Sequence, residues 1–193
     1  MTRRGHRRAR ALPLRVAHLT TVDMSLELLL GPQLDAVVDA GGEVIGISAP
    51  GPYVEALERR GVRHVALAGS TRGWSLRGDL QAAADLWRIL RRERPSVLHT
   101  HNPKPGLYGR VVGRLTGVPI VVNTVHGLYA TEDDPWARRA VVYTLEAIAS
   151  RFSDAELVQN AEDVETMRRF RLARMSTVTH LGNGVDLTRF RPG

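Results

Sequence analysis

Short apolar runs that alternate with longer amphipathic stretches are the feature that most constrains how this chain can fold. Seven runs have the length and the apolar content of strands: Arg15–Thr20, Glu43–Ser48, Arg63–Ala68, Ser96–Thr100, Pro119–Val125, Ala155–Gln159 and Thr177–Leu181. Six stretches have the pattern of helices: Leu26–Ala40, Tyr53–Arg60, Leu76–Arg94, Leu107–Leu115, Trp136–Ser150 and Glu162–Phe170. This alternation predicts an α/β fold, a doubly wound and mostly parallel sheet of about seven strands with helices on both faces.

Two of the helical stretches carry more detailed expectations. Gly31-Pro32 interrupts the first pattern and predicts a kink or a late helix start. In the third, apolar residues recur every three or four positions and predict a buried stripe with the arginines outside: Leu76, Leu80, Ala83, Ala84, Trp87 and Leu90. The three tryptophans, Trp74, Trp87 and Trp136, are expected to pack in the protein rather than to stack on a ligand.

The composition of the chain limits the classes of protein to which it can belong. The chain has 193 residues, of which 43% are apolar and 24% charged, and this fits one medium domain. It has no cysteine, which excludes a disulfide framework and a thiolate metal site. No apolar run approaches the roughly 20 residues that span a bilayer. The first residues, "MTRRGHRRARALPL", lack the apolar region of a signal peptide, so a cytoplasmic location is expected.

The formal charge of +7 is concentrated at the N-terminus. Five arginines lie in the first ten residues, which leaves a balance of +2 (7 minus 5) for the remainder. Nucleic acid is therefore not an expected partner. Residues 1–13 are predicted to form a disordered, solvated tail. The alternative is a weak attachment to anionic lipid, at ~1 kcal/mol for each basic residue near the surface.

Polar residues follow four of the predicted strands at their carboxyl ends, where open α/β sheets bind ligands. "TTVDMS" follows the first strand, "HTHNPKPG" the fourth, "VHG" the fifth and "QNAED" the sixth. The amino ends of the strands carry plain turn sequences such as "AGG", "RRG" and "TGVP". This asymmetry predicts one site at the rim that the four loops share.

Histidines are prominent in these loops. His99 and His101 have an H-x-H spacing and could ligate a metal together with His126. No carboxylate cluster accompanies them, and hydrogen bonding to loop backbone is the commoner role, so no metal is expected. Gly127 after His126 allows backbone and ligand to approach closely, and the imidazole can donate to or accept from a ligand hydroxyl.

Three further candidates each have two interpretations. Asn160 could cap the helix that follows it or contact a ligand, and Ser25 could cap a helix or mark an anion site at its N-terminus. Lys104, the single lysine of the chain, precedes a helix that Pro105 can begin. It could hold an anion there or be a solvated loop lysine.

Several common signatures are absent from the sequence. There is no G-x-G-x-x-G, no G-x-x-x-x-G-K-[ST] and no G-x-S-x-G. A nicotinamide or flavin fingerprint, a P-loop and a nucleophile elbow are therefore unsupported. No cofactor is expected.

Three segments, taken in their order and spacing, carry a resemblance to a known family. They are "SVLHTHNPKPGLYGRVVGRLTGVPIVVNTVHGLY", "QNAEDVE" and "HLGNGVDLTRFRPG". From Arg15 onward the chain resembles glycosyltransferase family 4, in particular the branch acting in polysaccharide and lipid-linked oligosaccharide assembly. The resemblance implies a GT-B architecture, two Rossmann-like domains facing each other. Residues 14–182 would be its N-terminal, acceptor-side domain, and residues 183–193 a linker into a missing C-terminal domain.

The resemblance also implies a reaction and a set of site residues. A sugar would pass from a nucleotide sugar to a saccharide acceptor, which is lipid-linked in this branch, with retention of configuration and without metal. His126 matches the family histidine near the donor sugar and the attacking oxygen. The acceptor side is expected at His101, Asn102, Lys104, Gly127 and Asn160. The side facing the donor diphosphate is expected at Val22, Ser25, Asn183 and Gly184.

The E-x7-E motif with which the family contacts its donor is not found in the chain, because no two glutamates lie eight positions apart. The 193 residues alone are therefore expected to lack turnover. The expected location is cytoplasmic, or peripheral at the inner face of a membrane. Two alternatives stay open: half of a GT-B-type sugar-nucleotide epimerase, and a non-catalytic Rossmann-like binding module.

Overall fold

A computed structural model of the chain describes residues 14–70, 75–101, 103–182 and 184. Its centre is one seven-stranded sheet in the order β3-β2-β1-β4-β5-β6-β7. The strands are β1 Arg15–Val22, β2 Glu43–Ala49, β3 Val62–Ala66, β4 Val97–His101, β5 Ile120–Val125, β6 Ala155–Val158 and β7 Val178–His180. Every neighbouring pair is parallel. The predicted α/β sheet is confirmed, and it is parallel throughout rather than mostly so.

Six α-helices connect these strands. They are α1 Gly31–Asp39, α2 Val54–Arg59, α3 Leu76–Glu93, α4 Lys104–Leu115, α5 Trp136–Ala149 and α6 Ala161–Arg169. A π-helical turn, Ser25–Leu29, precedes α1, and short 3-10 turns at Ser150–Phe152 and Met175–Thr177 follow α5 and α6. The break expected at Gly31-Pro32 is confirmed, because α1 starts at Gly31 with proline in its first turn.

The helices lie on both faces of the sheet. One core cluster joins α3 and α4 to one face of β1 and β2, through residues such as Leu86 and Ile45. A second cluster joins the π-helical turn, α1 and α2 to the opposite face, where Val44 points. Because side chains alternate along a strand, the neighbours Val44 and Ile45 serve two different cores.

The apolar stripe expected on α3 is partly wrong. Leu90 and Ala83 join the core, but Leu76, Leu80 and Trp87 are exposed at 79%, 64% and 41%. The buried face of the helix is instead formed by Ala82, Leu86, Ile89, Leu90 and Glu93. Trp136, also expected to pack, is 78% exposed. Trp74 lies outside the described residues.

Helix α4 lies very close to the sheet. A Cβ added at Gly109 would stand 2.5 Å from Cδ2 of Leu19 and 2.9 Å from Cγ2 of Thr100. The missing side chain therefore permits the close approach of α4 to β1 and β4. This approach brings the N-terminus of α4, and Lys104 with it, to the carboxyl edge of the sheet.

A buried ionic network ties α4 to its neighbours. Arg110 is fully buried and donates from Nη2 to Glu146 of α5 at 2.5 Å and from Nη1 to Glu156 of β6 at 2.8 Å. Asn123 and Ser153 also donate to Glu156, at 2.8 and 2.6 Å. Burial alone would lower the pKa of Arg110, but the two carboxylates raise it above its ordinary value.

Over the described residues, none of the helices has the length and hydropathy to cross a bilayer. The predicted tail, residues 1–13, lies outside the described residues. So does the predicted linker apart from Gly184. The domain bounds therefore stay predictions.

Candidate functional site

A row of histidines lines one face of the sheet at its carboxyl edge. In the pairing of β1 with β4, His18 stands opposite His99. His101, two residues further along β4, points to the same side because side chains alternate. His126 follows the end of β5 directly, and its ring lies edge to edge with that of His101, with centroids 5.3 Å apart.

Three of these rings form a continuous hydrogen-bonded chain. Nδ1 of His18 lies 3.3 Å from Nε2 of His101, and Nδ1 of His101 lies 3.0 Å from Nε2 of His126. Nδ1 of His126 lies 3.0 Å from Oε1 of Gln159, which follows β6. We call these four residues the histidine chain. It crosses the sheet from β1 to β6.

The amide of Gln159 determines which atom donates in each hydrogen bond of the histidine chain. An amide oxygen accepts, so Nδ1 of His126 carries a proton and its Nε2 is an acceptor. It follows that His101 donates to His126 and that His18 donates to His101. Nε2 of His18 is left with a lone pair, and no described residue hydrogen-bonds to it.

Burial keeps the histidines neutral. It lowers the pKa of His18 to about 3 and that of His99 to about 4, with neighbouring histidines adding to each shift. The pKa of His101 is held well below its ordinary value by the same causes. Burial also lowers the pKa of His126, and the hydrogen bond to Gln159 opposes that shift. At neutral pH each ring is therefore one donor and one acceptor.

Nitrogens of His18, His99 and His101 lie within 4.8 Å of one another, which makes a metal centre worth testing. The rings of His18 and His101 lie edge to edge, with centroids 5.6 Å apart, and share a hydrogen bond, whereas His99 stacks on His101 with centroids 4.4 Å apart. A metal binds a ring nitrogen through its lone pair, and both nitrogens of His101 are already hydrogen-bonded, to His18 and to His126. Nε2 of His99 is bound to Thr124 at 2.7 Å. The arrangement fits hydrogen bonding better than metal ligation.

A cavity of about 320 Å³ opens beside the outer end of the histidine chain. It is lined by Thr20, Thr21, Val22, Ser25, Leu29, His101, Pro103, Lys104, His126 and Tyr129. These residues come from the carboxyl ends of β1, β4 and β5 and from the elements that follow, as expected for an open α/β sheet.

Asp23 shapes the loops at one side of this cavity. Its carboxylate is buried and accepts from the backbone N–H of Met24 at 2.8 Å and of Tyr53 at 2.7 Å. A Cβ added at Gly51 would stand 2.5 Å from Oδ1. The carboxylate therefore joins the end of β1 to the loop after β2.

Most of the predicted site residues that the structure describes lie at or beside the cavity. His101, Lys104, His126, Val22 and Ser25 line it. Gly127 and Asn160 adjoin His126, and a Cβ built on Gly127 would lie 4.0 Å from Nδ2 of Asn160. Gly127 has a φ of +143°, which favours glycine there whatever the space. Gly184 is exposed and does not line the cavity. Asn102 and Asn183 lie outside the described residues.

Lys104 differs from the expectation. It is buried rather than a solvated loop lysine, and its Nζ forms an ion pair with Asp79 of α3. It is also the first residue of α4, with Pro105 second. An anion reaching Lys104 would therefore share the ammonium with a carboxylate already present.

Neither proposed helix cap is formed. Asn160 holds the N-cap position of α6, but its Nδ2 donates to Oδ2 of Asp163 at 3.1 Å and caps no backbone group. Ser25 lies inside the π-helical turn, which has no side-chain cap. Ser25 lines the cavity, and its second interpretation, an anion site at a helix N-terminus, stays a prediction.

The sequence reasoning missed His18, Gln159, Asp23 and Tyr129. His18 had a usable signal, because strand alternation places it beside any histidine on the same face of the next strand. Gln159 was included in a predicted strand but not considered as a partner of His126. Asp23 and Tyr129 depend on how loops meet, which no local pattern reveals.

Comparison with known proteins agrees with this geometry. Residues 33–189 match the family described as Glycosyltransferase Family 4. An Escherichia coli relative, UDP-Gal:alpha-D-GlcNAc-diphosphoundecaprenol alpha-1,3-galactosyltransferase, is 34% identical over 122 residues, which are 63% of this chain and 31% of that one. The Staphylococcus aureus capsular polysaccharide biosynthesis glycosyltransferase CapM is 26% identical over 182 residues, 92% of this chain and 46% of that one.

Among solved structures, the sucrose-phosphate synthase of Thermosynechococcus elongatus superposes with a TM-score of 0.72 at 15% identity, covering 93% of this chain and 50% of that one. This likeness concerns the fold. The chain spans less than half the length of the two curated relatives. Both relatives are named as glycosyltransferases. With most of its length matching the family, the chain belongs to glycosyltransferase family 4.

Proposed function

We propose that this chain is the acceptor-side half of a retaining, metal-independent glycosyltransferase. In this proposal, a saccharide acceptor carried by a lipid diphosphate binds in the cavity beside His126. The observation that carries it is the position of that cavity, at the carboxyl ends of three central strands of a family 4 domain. The lipid is suggested by the E. coli relative, whose name gives a diphosphoundecaprenol-linked sugar as its substrate.

His126 acts as a neutral, positioned imidazole in this proposal. Both ring nitrogens have protein partners, His101 at Nε2 and Gln159 at Nδ1. A sugar hydroxyl therefore engages the ring by replacing one of these partners. Gln159 is the more replaceable of the two, since it is half-buried whereas His101 is buried.

The cavity lining supports catalysis by positioning. No aspartate or glutamate is among the described lining residues. A covalent carboxylate intermediate therefore has no nucleophile among the described residues that line this cavity. Front-face departure of the nucleotide, with the acceptor held in place, needs orientation and electrostatic stabilisation only.

The test uses a complete two-domain enzyme that carries this domain. Replacing His126 with alanine should lower kcat by about 10²-fold, in the range for the loss of one preorganised polar group. His64→Ala is the matched control, because His64 bonds Ser48 and lies away from the cavity. Unchanged kcat for His126→Ala would remove the assigned role. The 193-residue chain alone should show no turnover.

In the proposal, Lys104 and the arginine-rich N-terminus help to bind the lipid-linked acceptor. Lys104→Ala should weaken the binding of a lipid-diphosphate acceptor and leave nucleotide binding intact, because the nucleotide is held mainly by the other domain of a GT-B enzyme. The five arginines among residues 1–10 would add attraction to an anionic inner membrane face. Equal acceptor affinity for Lys104→Ala would contradict the anion contact.

A further inference from the structure

The outer side of α5 is unusually apolar for a surface helix. Of its exposed residues, Arg138 is the single charged one over the whole helix, all of which is described. Trp136, Val141, Leu145 and Ile148 are exposed at 78%, 59%, 37% and 51%. Glu146 points inward to Arg110. A helix that faces water normally carries charged and polar residues on that side, and none of the described residues covers this face.

Helix α3 extends the same surface. Its exposed Leu76, Leu80 and Trp87 lie one helix away, since α3 and α5 flank α4 on one face of the sheet. A groove of about 350 Å³ joins the two helices and is lined by Leu76, Leu107, Tyr108 and Leu145 among others. We call the exposed apolar residues of the two helices, together with this groove, the α3–α5 surface. Apolar surfaces of this extent mark interaction sites.

The α3–α5 surface begins at the rim of the site cavity. Lys104 lines both that cavity and the groove between α3 and α5. Tyr129 lines the cavity and a second apolar groove, which includes Val141 and Leu145. A ligand with a polar head in the cavity can therefore place an apolar tail on the surface past Lys104, whose charge is paired with Asp79 in the same groove.

The exposed charges on the two helices themselves have one sign, and the exposed acidic residues Glu132 and Asp133 lie in the turn before α5. The exposed charged residues of α3 and α5, over the full described length of both helices, are all arginine: Arg77, Arg88, Arg91, Arg92 and Arg138. The acidic residues of the two helices are buried or half-buried. A second copy would bring arginine against arginine, which opposes self-association. Anionic lipid complements both the arginines and the apolar residues between them.

We propose that the α3–α5 surface docks on an anionic bilayer, so that a membrane-held acceptor enters the cavity from the side of Lys104 and Tyr129. The choice of lipid as partner rests on the proposed function. A long polyprenyl chain stays in the bilayer, and its diphosphate sugar reaches a protein cavity only where that cavity adjoins the membrane. The docked surface is distinct from the arginine-rich N-terminus.

Vesicle flotation of the 193-residue chain tests the docking. Vesicles of phosphatidylcholine alone are compared with vesicles that also contain phosphatidylglycerol. Leu80→Glu with Val141→Glu should lower the partition coefficient at least about tenfold, because each position loses apolar burial and gains repulsion. The matched control is Leu14→Glu with Leu28→Glu. Its positions are 52% and 63% exposed, against 64% and 59% for the test pair, and lie before β1 and in the π-helical turn on the opposite face of the sheet. The control should bind as the unmodified chain does.

Several outcomes would overturn the docking. One is a failure of the unmodified chain to bind phosphatidylglycerol vesicles. Another is binding by the Leu80/Val141 variant that equals binding by the unmodified chain. That result would overturn the docking whether or not removal of residues 1–13 abolishes binding. A third is a lipid-free dimer that the same variant dissociates, seen by sedimentation. Circular dichroism confirms the fold of each variant. If the glutamates unfold the chain, glutamines at the same positions, which add no charge, should still weaken binding by removing the apolar contacts.

The docking and the proposed function fail separately. Transfer to a short-chain, water-soluble acceptor by a complete enzyme needs the cavity and not the bilayer. Transfer without vesicle binding would reject the docking alone. Vesicle binding without any transfer by the complete enzyme would reject the proposed function and leave the surface without its stated reason.

Discussion

Nδ1 of His101 and Nε2 of His126 lie 3.0 Å apart, with the two ring planes 27° from parallel. Two neutral imidazoles form such a bond only if one ring donates and the other accepts. The buried ring therefore controls which nitrogen of the cavity ring carries the proton. The other control is Gln159, at the opposite nitrogen of His126.

Gln159→Glu should raise the pKa of His126 above its value in the unmodified chain. The carboxylate would take the place of the amide oxygen beside Nδ1 and stabilise the charged ring. Gln159→Leu should lower that pKa further, because it removes the bond that now opposes the effect of burial. NMR titration of the His126 ring measures both. Asn160→Asp is the control, since it adds the same charge one residue away without a bond to the ring, and an equal shift there would contradict the assignment.

The stability of the chain should fall as the pH is lowered from 7 to 5. His18 has an ordinary pKa of 6.5 when unfolded and about 3 when folded. In that window the unfolded state binds protons that the folded state does not, so unfolding becomes easier as the pH falls. Each such histidine contributes about 1.4 kcal/mol per pH unit well below pH 6.5. Urea unfolding at several pH values measures the slope, which His18→Leu should reduce and His180→Asn, at an exposed histidine, should not.

Gly109→Ala should destabilise the domain by about 1–3 kcal/mol, because the added methyl group meets Leu19 and Thr100 in a closely packed core. Gly78→Ala in α3 is the opposite case. Its Cβ would meet nothing nearer than Ser75 at 3.4 Å. That substitution should stabilise the helix by roughly 0.5–1 kcal/mol. Thermal unfolding of the two variants decides the matter, and a neutral Gly109→Ala would show that α4 can move outward at little cost.

Arg110→Met should cost about 3–5 kcal/mol, since it leaves Glu146 and Glu156 buried without their cation. Arg114→Met is the comparison, because the ion pair of Arg114 with Asp154 is partly exposed and surface pairs contribute only ~0–1 kcal/mol. Chemical denaturation gives both values. Similar losses for the two variants would mean that the buried network relaxes or admits water.

The fold was predictable from the sequence to a large extent. Strand runs such as Glu43–Ser48 and Ala155–Gln159 end within a residue of β2 and β6, because a parallel sheet covered on both faces needs continuous apolar segments. The error on α3 has a physical cause. Leu76, Leu80 and Trp87 have the spacing of a buried stripe, but spacing does not say whether the partner is the protein's own core or something outside it.

The position of the site was predictable from the sequence, but the hydrogen-bond and ion-pair partners of its residues were not. Loop polarity located His101 and His126 at the correct edge of the sheet. The partners of those residues depend on tertiary contacts: Asp79 reaches Lys104 from another helix, and Gln159 reaches His126 from the next strand. Such contacts leave no local pattern, so the sequence could not show that Lys104 is buried in an ion pair rather than solvated.

The histidine chain also has a polarity, and its two ends hold that polarity in place. If the amide of Gln159 turned by half a rotation, its NH₂ group would face Nδ1 of His126. The donors and acceptors of the three rings could then exchange only if a proton left that nitrogen and another reached Nε2 of His18. Because no described residue hydrogen-bonds to Nε2 of His18 and the ring is buried, the inner end resists that exchange. The buried histidine on β1 thereby helps to decide which nitrogen of the cavity histidine is offered to a hydroxyl.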